Sequence, residues 1–153
     1  MTKKILMVCL GNICRSPLAA GVLRKKILDK GLDATVDSAG FEPYHIGEEP
    51  DARTLEIAKK HSIDISSHSM RLFKVDDFDI YDRIFVMDQR NLRDVLFLAR
   101  NEADKKKVDY LMNQAHPGKN QIVPDPYYGD IADFEQAYRM MDEACEKIAE
   151  SLK

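Results

Sequence analysis

No run of this 153-residue chain is long and apolar enough to span a bilayer. The apolar opening, Ile5 to Leu10 after Lys3-Lys4, is too short for a secretion signal and is broken by Gly11-Asn12 and Arg15. Cysteine is sparse. Three in a chain of this size, an odd number, argue against a disulfide framework and make the reducing cytoplasm the expected compartment. His45, His61 and His116 lack ligand-like spacing, so no metal is expected. A dominant charge is missing too: the formal net charge of −3 at pH 7 leaves no electrostatic footprint for nucleic acid. Neither an internal repeat nor a domain-scale linker divides the chain. Its 44% hydrophobic and 32% charged residues suit one soluble globular domain over residues 1–153.

What is present alternates between strand and helix signals. Ile5 to Val8 is a continuous apolar run, the mark of a buried strand. Ser16 to Lys30 carries Leu18, Val22, Leu23 and Ile27 at helical spacing, with Ser16 as the expected cap, Pro17 as the first helical residue and Gly31 as the stop. Ala34 to Ser38, Arg83 to Met87 and Lys107 to Met112 read as three further strands. Asp51 to His61 and Gln89 to Ala99 read as helices. Phe134, Ala137-Tyr138, Met141, Ala144-Cys145, Ile148 and Leu152 form the apolar stripe of a long closing helix, which makes Cys145 a core residue. Phe41 to Glu49 reads as a loop, and Arg100 to Lys107 as a solvated, mobile one. The alternation predicts an α/β fold of one domain: a four-stranded parallel sheet with helices on both faces, flavodoxin-like or Rossmann-like in three layers.

The chemistry concentrates after the first strand. Cys9-Leu10-Gly11-Asn12-Ile13-Cys14-Arg15-Ser16-Pro17 begins with a nucleophile and ends with a bidentate phosphate ligand at a helix start. Gly11 and Asn12 tolerate the backbone angles that an anion-binding nest of amides requires. The loop lies at the carboxyl end of a strand, where parallel sheets bind ligands. A second feature is Val123-Pro124-Asp125-Pro126-Tyr127-Tyr128-Gly129, in which two prolines stiffen the backbone around one carboxyl group. A thiolate that attacks a phosphate ester expels an alkoxide or phenoxide, and Asp125 is placed to protonate it.

These two segments, with Asp37-Ser38-Ala39-Gly40 and Met87-Asp88, resemble the low-molecular-weight protein tyrosine phosphatases over essentially the whole chain. The resemblance implies a four-stranded parallel sheet, hydrolysis without metal or other cofactor, and a phosphocysteine intermediate. Cys9 is then the nucleophile, Arg15 and the amides of Leu10 to Arg15 hold the phosphoryl oxygens, and Asp125 is the acid and later the base. A Ser16 hydrogen bond to the sulfur would stabilise the thiolate. The family further implies a polar network joining Asn12 to Ser16, Ser38 and His68; sequence alone reads His68 as an ordinary surface histidine. Cys14 is either a partner for Cys9 in a reversible disulfide, which the family supports, or a small loop residue.

Leu10, Ile13, Tyr44, Tyr127 and Tyr128 suit a pocket that sandwiches a flat ring, which points to phosphotyrosine in a protein substrate or a small aryl phosphate. Related phosphoarginine phosphatases tend to carry threonine where Ile13 stands here. Phe41 departs from the smaller or polar residue usual in the family, at the entrance. Arsenate reductases of the same fold use two further mid-chain cysteines, and none lies between Cys14 and Cys145. A non-catalytic flavodoxin-like binding module would not need the combination of Cys9, Arg15 and Asp125. The expected partner is therefore the phosphorylated substrate, with no nucleic acid or membrane, and the expected state is a monomer.

Overall fold

The computed structural model describes residues 1–153. Four strands, β1 (Lys3–Val8), β2 (Ala34–Ala39), β3 (Arg83–Val86) and β4 (Val108–Tyr110), form one sheet in the order β2-β1-β3-β4, and every pairing is parallel. Six helices connect and cover them: α1 (Arg15–Lys30), α2 (Ala52–Lys60), α3 (Asp77–Ile80), α4 (Gln89–Leu98), α5 (Glu102–Lys106) and α6 (Ile131–Ser151).

From Ile5 to Val8 β1 is apolar because both of its faces are covered there. Ile5 and Met7 enter the larger core with Leu18, Leu23 and Ile27 of α1 and Phe134, Met141 and Ile148 of α6. Leu6 and Val8 enter the smaller core with Phe73, Phe78 and Val95. The predicted stripe of the closing helix, Cys145 included, is buried there apart from Tyr138 and Leu152, which are partly buried against it. Strand order reverses between β1 and β3: the chain moves outward from β1 to β2, then returns past it to β3. The carboxyl ends of these two central strands flank the switch point at which such sheets bind ligands.

Three expectations are corrected. Ser16 is not the cap of α1: Cys14 holds that position without a side-chain bond to the helix, and Ser16 and Pro17 lie within the first turn. Its hydroxyl is engaged by Cys9 and Asn12 instead. The fourth strand is only Val108–Tyr110, after which Leu111 and Met112 turn inward on a 3₁₀ turn (Leu111–Gln114) and are buried. The segment from Arg100 to Lys107 contains an ordered helix, α5, capped by Asn101 and tied down by Arg100, which bonds Asp104 at 2.8 Å and Asp79 at 2.7 Å. Four of its five residues, Glu102, Asp104, Lys105 and Lys106, are charged and leave no apolar stripe, so caps and ion pairs hold this turn without an amphipathic signal.

Candidate active site

β1 delivers Cys9 to the switch point, and the Cys9 amide extends the ladder by bonding the Ala39 carbonyl at 3.3 Å. The chain then wraps around the sulfur. Cys9 Sγ accepts from the Asn12 amide (3.2 Å) and the Ser16 amide (3.4 Å), and lies 3.0 Å from the Ser16 hydroxyl. Asn12 makes the turn with φ at +55°, a left-handed conformation that asparagine tolerates; Gly11 does not adopt a positive φ.

Asn12 is fully buried and every polar group it has is engaged. Its Nδ2 donates to Ser16 Oγ at 2.7 Å, so the Ser16 proton is directed to the sulfur. Its Oδ1 accepts from the Arg71 amide at 3.2 Å, and its carbonyl accepts from His68 Nε2 at 2.8 Å. Burial pushes the His68 imidazole below its ordinary value, so it is neutral at pH 7. With its proton on Nε2, Nδ1 faces the Ser38 hydroxyl at 3.4 Å as acceptor. Gly40 packs behind the turn: a Cβ there would lie 2.7 Å from Asn12 Cβ and 2.9 Å from the Leu10 carbonyl oxygen.

Loop carbonyls are occupied from outside. Phe41 N–H bonds Leu10, His68 bonds Asn12, and Asp51 N–H bonds Ile13 at 2.8 Å. The amides of Leu10, Gly11, Ile13, Cys14 and Arg15 donate to no protein acceptor. Five unpaired donors beside a buried sulfur form a cradle for an anion.

Arg15 closes the ring. Its Nη1 donates to Asp88 Oδ2 at 2.7 Å and to the Val123 carbonyl at 2.8 Å, while Nη2 lies 3.7 Å from Asp125 Oδ2. Burial works against this charge, but Cys9, Asp125 and Asp88 outweigh it and hold the guanidinium above its ordinary range. Asp125 rides on a loop fixed at both ends. Val123 N–H bonds the Met87 carbonyl at 2.8 Å, and Arg53 donates to the Tyr127 and Gly129 carbonyls at 2.8 and 2.9 Å. Arg53 is itself oriented by Asp51, which caps α2, and stands 4.3 Å from the centre of the Phe134 ring.

Ten of the sequence-predicted residues thus line one pocket of about 230 Å³: Cys9, Leu10, Gly11, Ile13, Cys14 and Arg15 at its floor, Tyr44, Asp125, Tyr127 and Tyr128 at its walls. Asn12 and Ser16 lie beneath the floor, and Ser38 and His68 behind it. Half-buried, His68 is no ordinary surface histidine. Tyr44 (71% exposed) and Tyr128 (94%) stand at the lip, so an entering group and not the protein would cover them. Burial pushes the Cys14 thiol up to about 12, and all three cysteines are unpaired. No three His, Cys, Asp or Glu side chains converge to hold a metal ion. Four residues at the site lay outside the sequence prediction: Glu42 and His45 on the wall, Asp88 against Arg15, and Arg53 under the acid loop. Asp88 had a local signal, a capping residue between a strand end and a helix; the others had none.

The family model described as "Low molecular weight phosphotyrosine protein phosphatase" matches residues 4–153. A curated relative of that name from Schizosaccharomyces pombe is 40% identical, over 99% of each chain. Among solved structures, a protein tyrosine phosphatase from Entamoeba histolytica superimposes with a TM-score of 0.90 at 35% identity, covering 98% of this chain and 96% of that one. A Drosophila arginine phosphatase reaches the same TM-score at 32% identity, with 98% of each chain covered.

Proposed function

The chain belongs to the low molecular weight phosphotyrosine protein phosphatase family, and from that membership we propose that it hydrolyses phosphotyrosine at the Cys9 loop, with Cys9, Arg15 and Asp125 as its catalytic residues. The observation that carries the assignment is the set of five unpaired loop amides and the Arg15 guanidinium gathered beside Cys9 Sγ.

In the first step the Cys9 thiolate attacks phosphorus: the S–P bond forms, the bond from phosphorus to the phenolic oxygen breaks, and Asp125 delivers its proton to the departing oxygen. The thiolate is favoured by three hydrogen bonds, from the Asn12 and Ser16 amides and the Ser16 hydroxyl. The amides and Arg15 carry the equatorial oxygens, whose charge they already face before the reaction begins. In the second step Asp125, now a carboxylate, takes a proton from water as its oxygen attacks phosphorus. The S–P bond breaks, phosphate leaves, and the Ser16 hydroxyl eases departure of the thiolate.

Apolar Ile13 in the pocket lining and the tyrosines at its lip favour a flat aromatic ring over a guanidinium. No helix is long and apolar enough to cross a membrane; the unpaired cysteines fit the reducing cytoplasm.

The test is phosphate release from a phosphotyrosine peptide and a phosphoarginine peptide, with wild type and Cys9→Ser, in chelator and reductant. Turnover of phosphotyrosine by wild type alone is expected. Preference for phosphoarginine would overturn the reading of Ile13, and turnover by Cys9→Ser would overturn the nucleophile.

A further inference from the structure

The catalytic pocket has one wall that the mechanism does not use. Glu42, Tyr44 and His45 line it, and they belong to the segment between β2 and α2. Glu42 lies against the phosphate loop itself: a Cβ on Gly11 would stand 3.1 Å from Glu42 Oε1 and 3.4 Å from the His45 ring.

The Glu42 carboxylate is fixed there. Its Oε2 accepts the Tyr44 hydroxyl, and Oε1 lies 3.5 Å from His45 Nε2. The other ring nitrogen of His45, Nδ1, bonds Glu48, so one imidazole joins two carboxylates into a single patch, continued by exposed Glu49. Only 21% of the Glu42 side chain is exposed, against 49% for Glu48, so Glu42 faces the cavity more than bulk water.

Apart from the His45 imidazole between the two carboxylates, this wall holds no basic side chain. Arg15 is the only arginine or lysine lining the pocket, and it is bound by Asp88 and approached by Asp125. Nearby Arg53 is held by Asp51 and by two carbonyls of the acid loop. A phosphoryl dianion therefore reaches a cationic floor through an acidic doorway. A substrate that carries its own cation next to the phosphorylated ring removes that repulsion and gains attraction at the wall.

We propose that Glu42, with Glu48 behind it, makes this entrance selective for phosphotyrosine flanked by lysine or arginine. The inference rests on the phosphotyrosine assignment above and names the sequence context which that site accepts.

The test compares kcat/KM for phosphotyrosine peptides that differ only in the residues on either side of phosphotyrosine: lysine, glutamine or glutamate. Para-nitrophenyl phosphate serves as a probe of the chemistry without flanks. Wild type should favour the lysine peptide over the glutamate peptide by about tenfold, and the ratio should shrink as salt is raised. Glu42→Gln, which keeps the size and can still accept the Tyr44 hydroxyl, should cut the ratio to about threefold or less, and Glu48→Gln should cut it by a smaller factor. Equal rates for the lysine and glutamate peptides overturn the inference, as does a preference that Glu42→Gln leaves intact. Turnover of para-nitrophenyl phosphate with no peptide turned over also counts against it. Turnover of none of these substrates would overturn the phosphatase site and not the doorway alone.

Discussion

Arg15 Nη1 lies 2.7 Å from Asp88 Oδ2, while Oδ1 of the same carboxylate accepts the Asn91 amide at 2.9 Å and caps α4. One side chain at the end of β3 therefore starts a helix and aims a buried guanidinium across the switch point. In Asp88→Asn the amide can still cap α4 but brings no charge to Arg15. We expect kcat/KM to fall about tenfold to a hundredfold through misplacement of the guanidinium. Asp88→Ala should also lose about 1 kcal/mol of stability with the cap, measured by urea denaturation. Unchanged kcat/KM in Asp88→Asn would mean that the Val123 carbonyl positions Arg15 alone.

Replacing Asp125 by Asn removes the acid and keeps the turn, since the amide oxygen can still accept the Tyr127 N–H seen at 3.1 Å. Turnover of a phosphotyrosine peptide is expected to fall by roughly 10²–10⁴, while formation of the phosphocysteine stays chemically possible. Near-normal turnover would remove Asp125 from the reaction.

Arg53 does not itself line the pocket, yet it holds two carbonyls of the acid loop. Arg53→Met should slow hydrolysis of phenyl phosphate by about tenfold, a fraction of what loss of the acid costs. Para-nitrophenyl phosphate, whose leaving group departs readily as an anion, should be slowed much less. Equal losses on both substrates would point to general damage and away from positioning of Asp125.

Burial keeps His68 below its ordinary value of 6.5, and its neutral form is the one bonded to Asn12 and Ser38. The unfolded chain then binds the proton more readily than the folded one. Its contribution to stability is complete above the unfolded value and is lost as pH falls from there through the lower folded value. Urea midpoints between pH 7 and pH 5 should therefore drop more in wild type than in His68→Gln. Parallel profiles would show that His68 does not titrate in this window.

With its thiol raised to about 12, Cys14 remains protonated at neutral pH, and burial raises Cys145 further. Iodoacetate at pH 7 should label one site, Cys9, and Cys9→Ser should abolish labelling. Mass spectrometry that finds Cys14 alkylated at a comparable rate would contradict the assignment.

The local grammar of the chain was largely legible. Continuous apolar residues at Ile5 to Val8 marked a strand covered on both faces, and the stripe from Phe134 to Leu152 marked the closing helix, because burial leaves a period in the sequence. Elements held by caps and ion pairs left no such period, which is why α5 read as a loop. Ser16 illustrates the limit at the site itself. Its type and place before Pro17 said cap, but the helix begins at Arg15, and the hydroxyl bonds a sulfur seven residues earlier and an amide four residues earlier.

The sequence by itself determined the strand–loop–helix that carries Cys9 and Arg15 and the stiff Pro124-Asp125-Pro126 segment, since each depends on neighbours within a few residues. Only the tertiary structure decided that Asp88, 73 positions away, orients Arg15, that Arg53 pins the acid loop, that His68 supports Asn12, and that Glu42 guards the entrance. Those contacts arise from the order of strands in the sheet and the reach of long polar side chains. Neither imposes a pattern on nearby residues, because the partners meet through space and not along the chain.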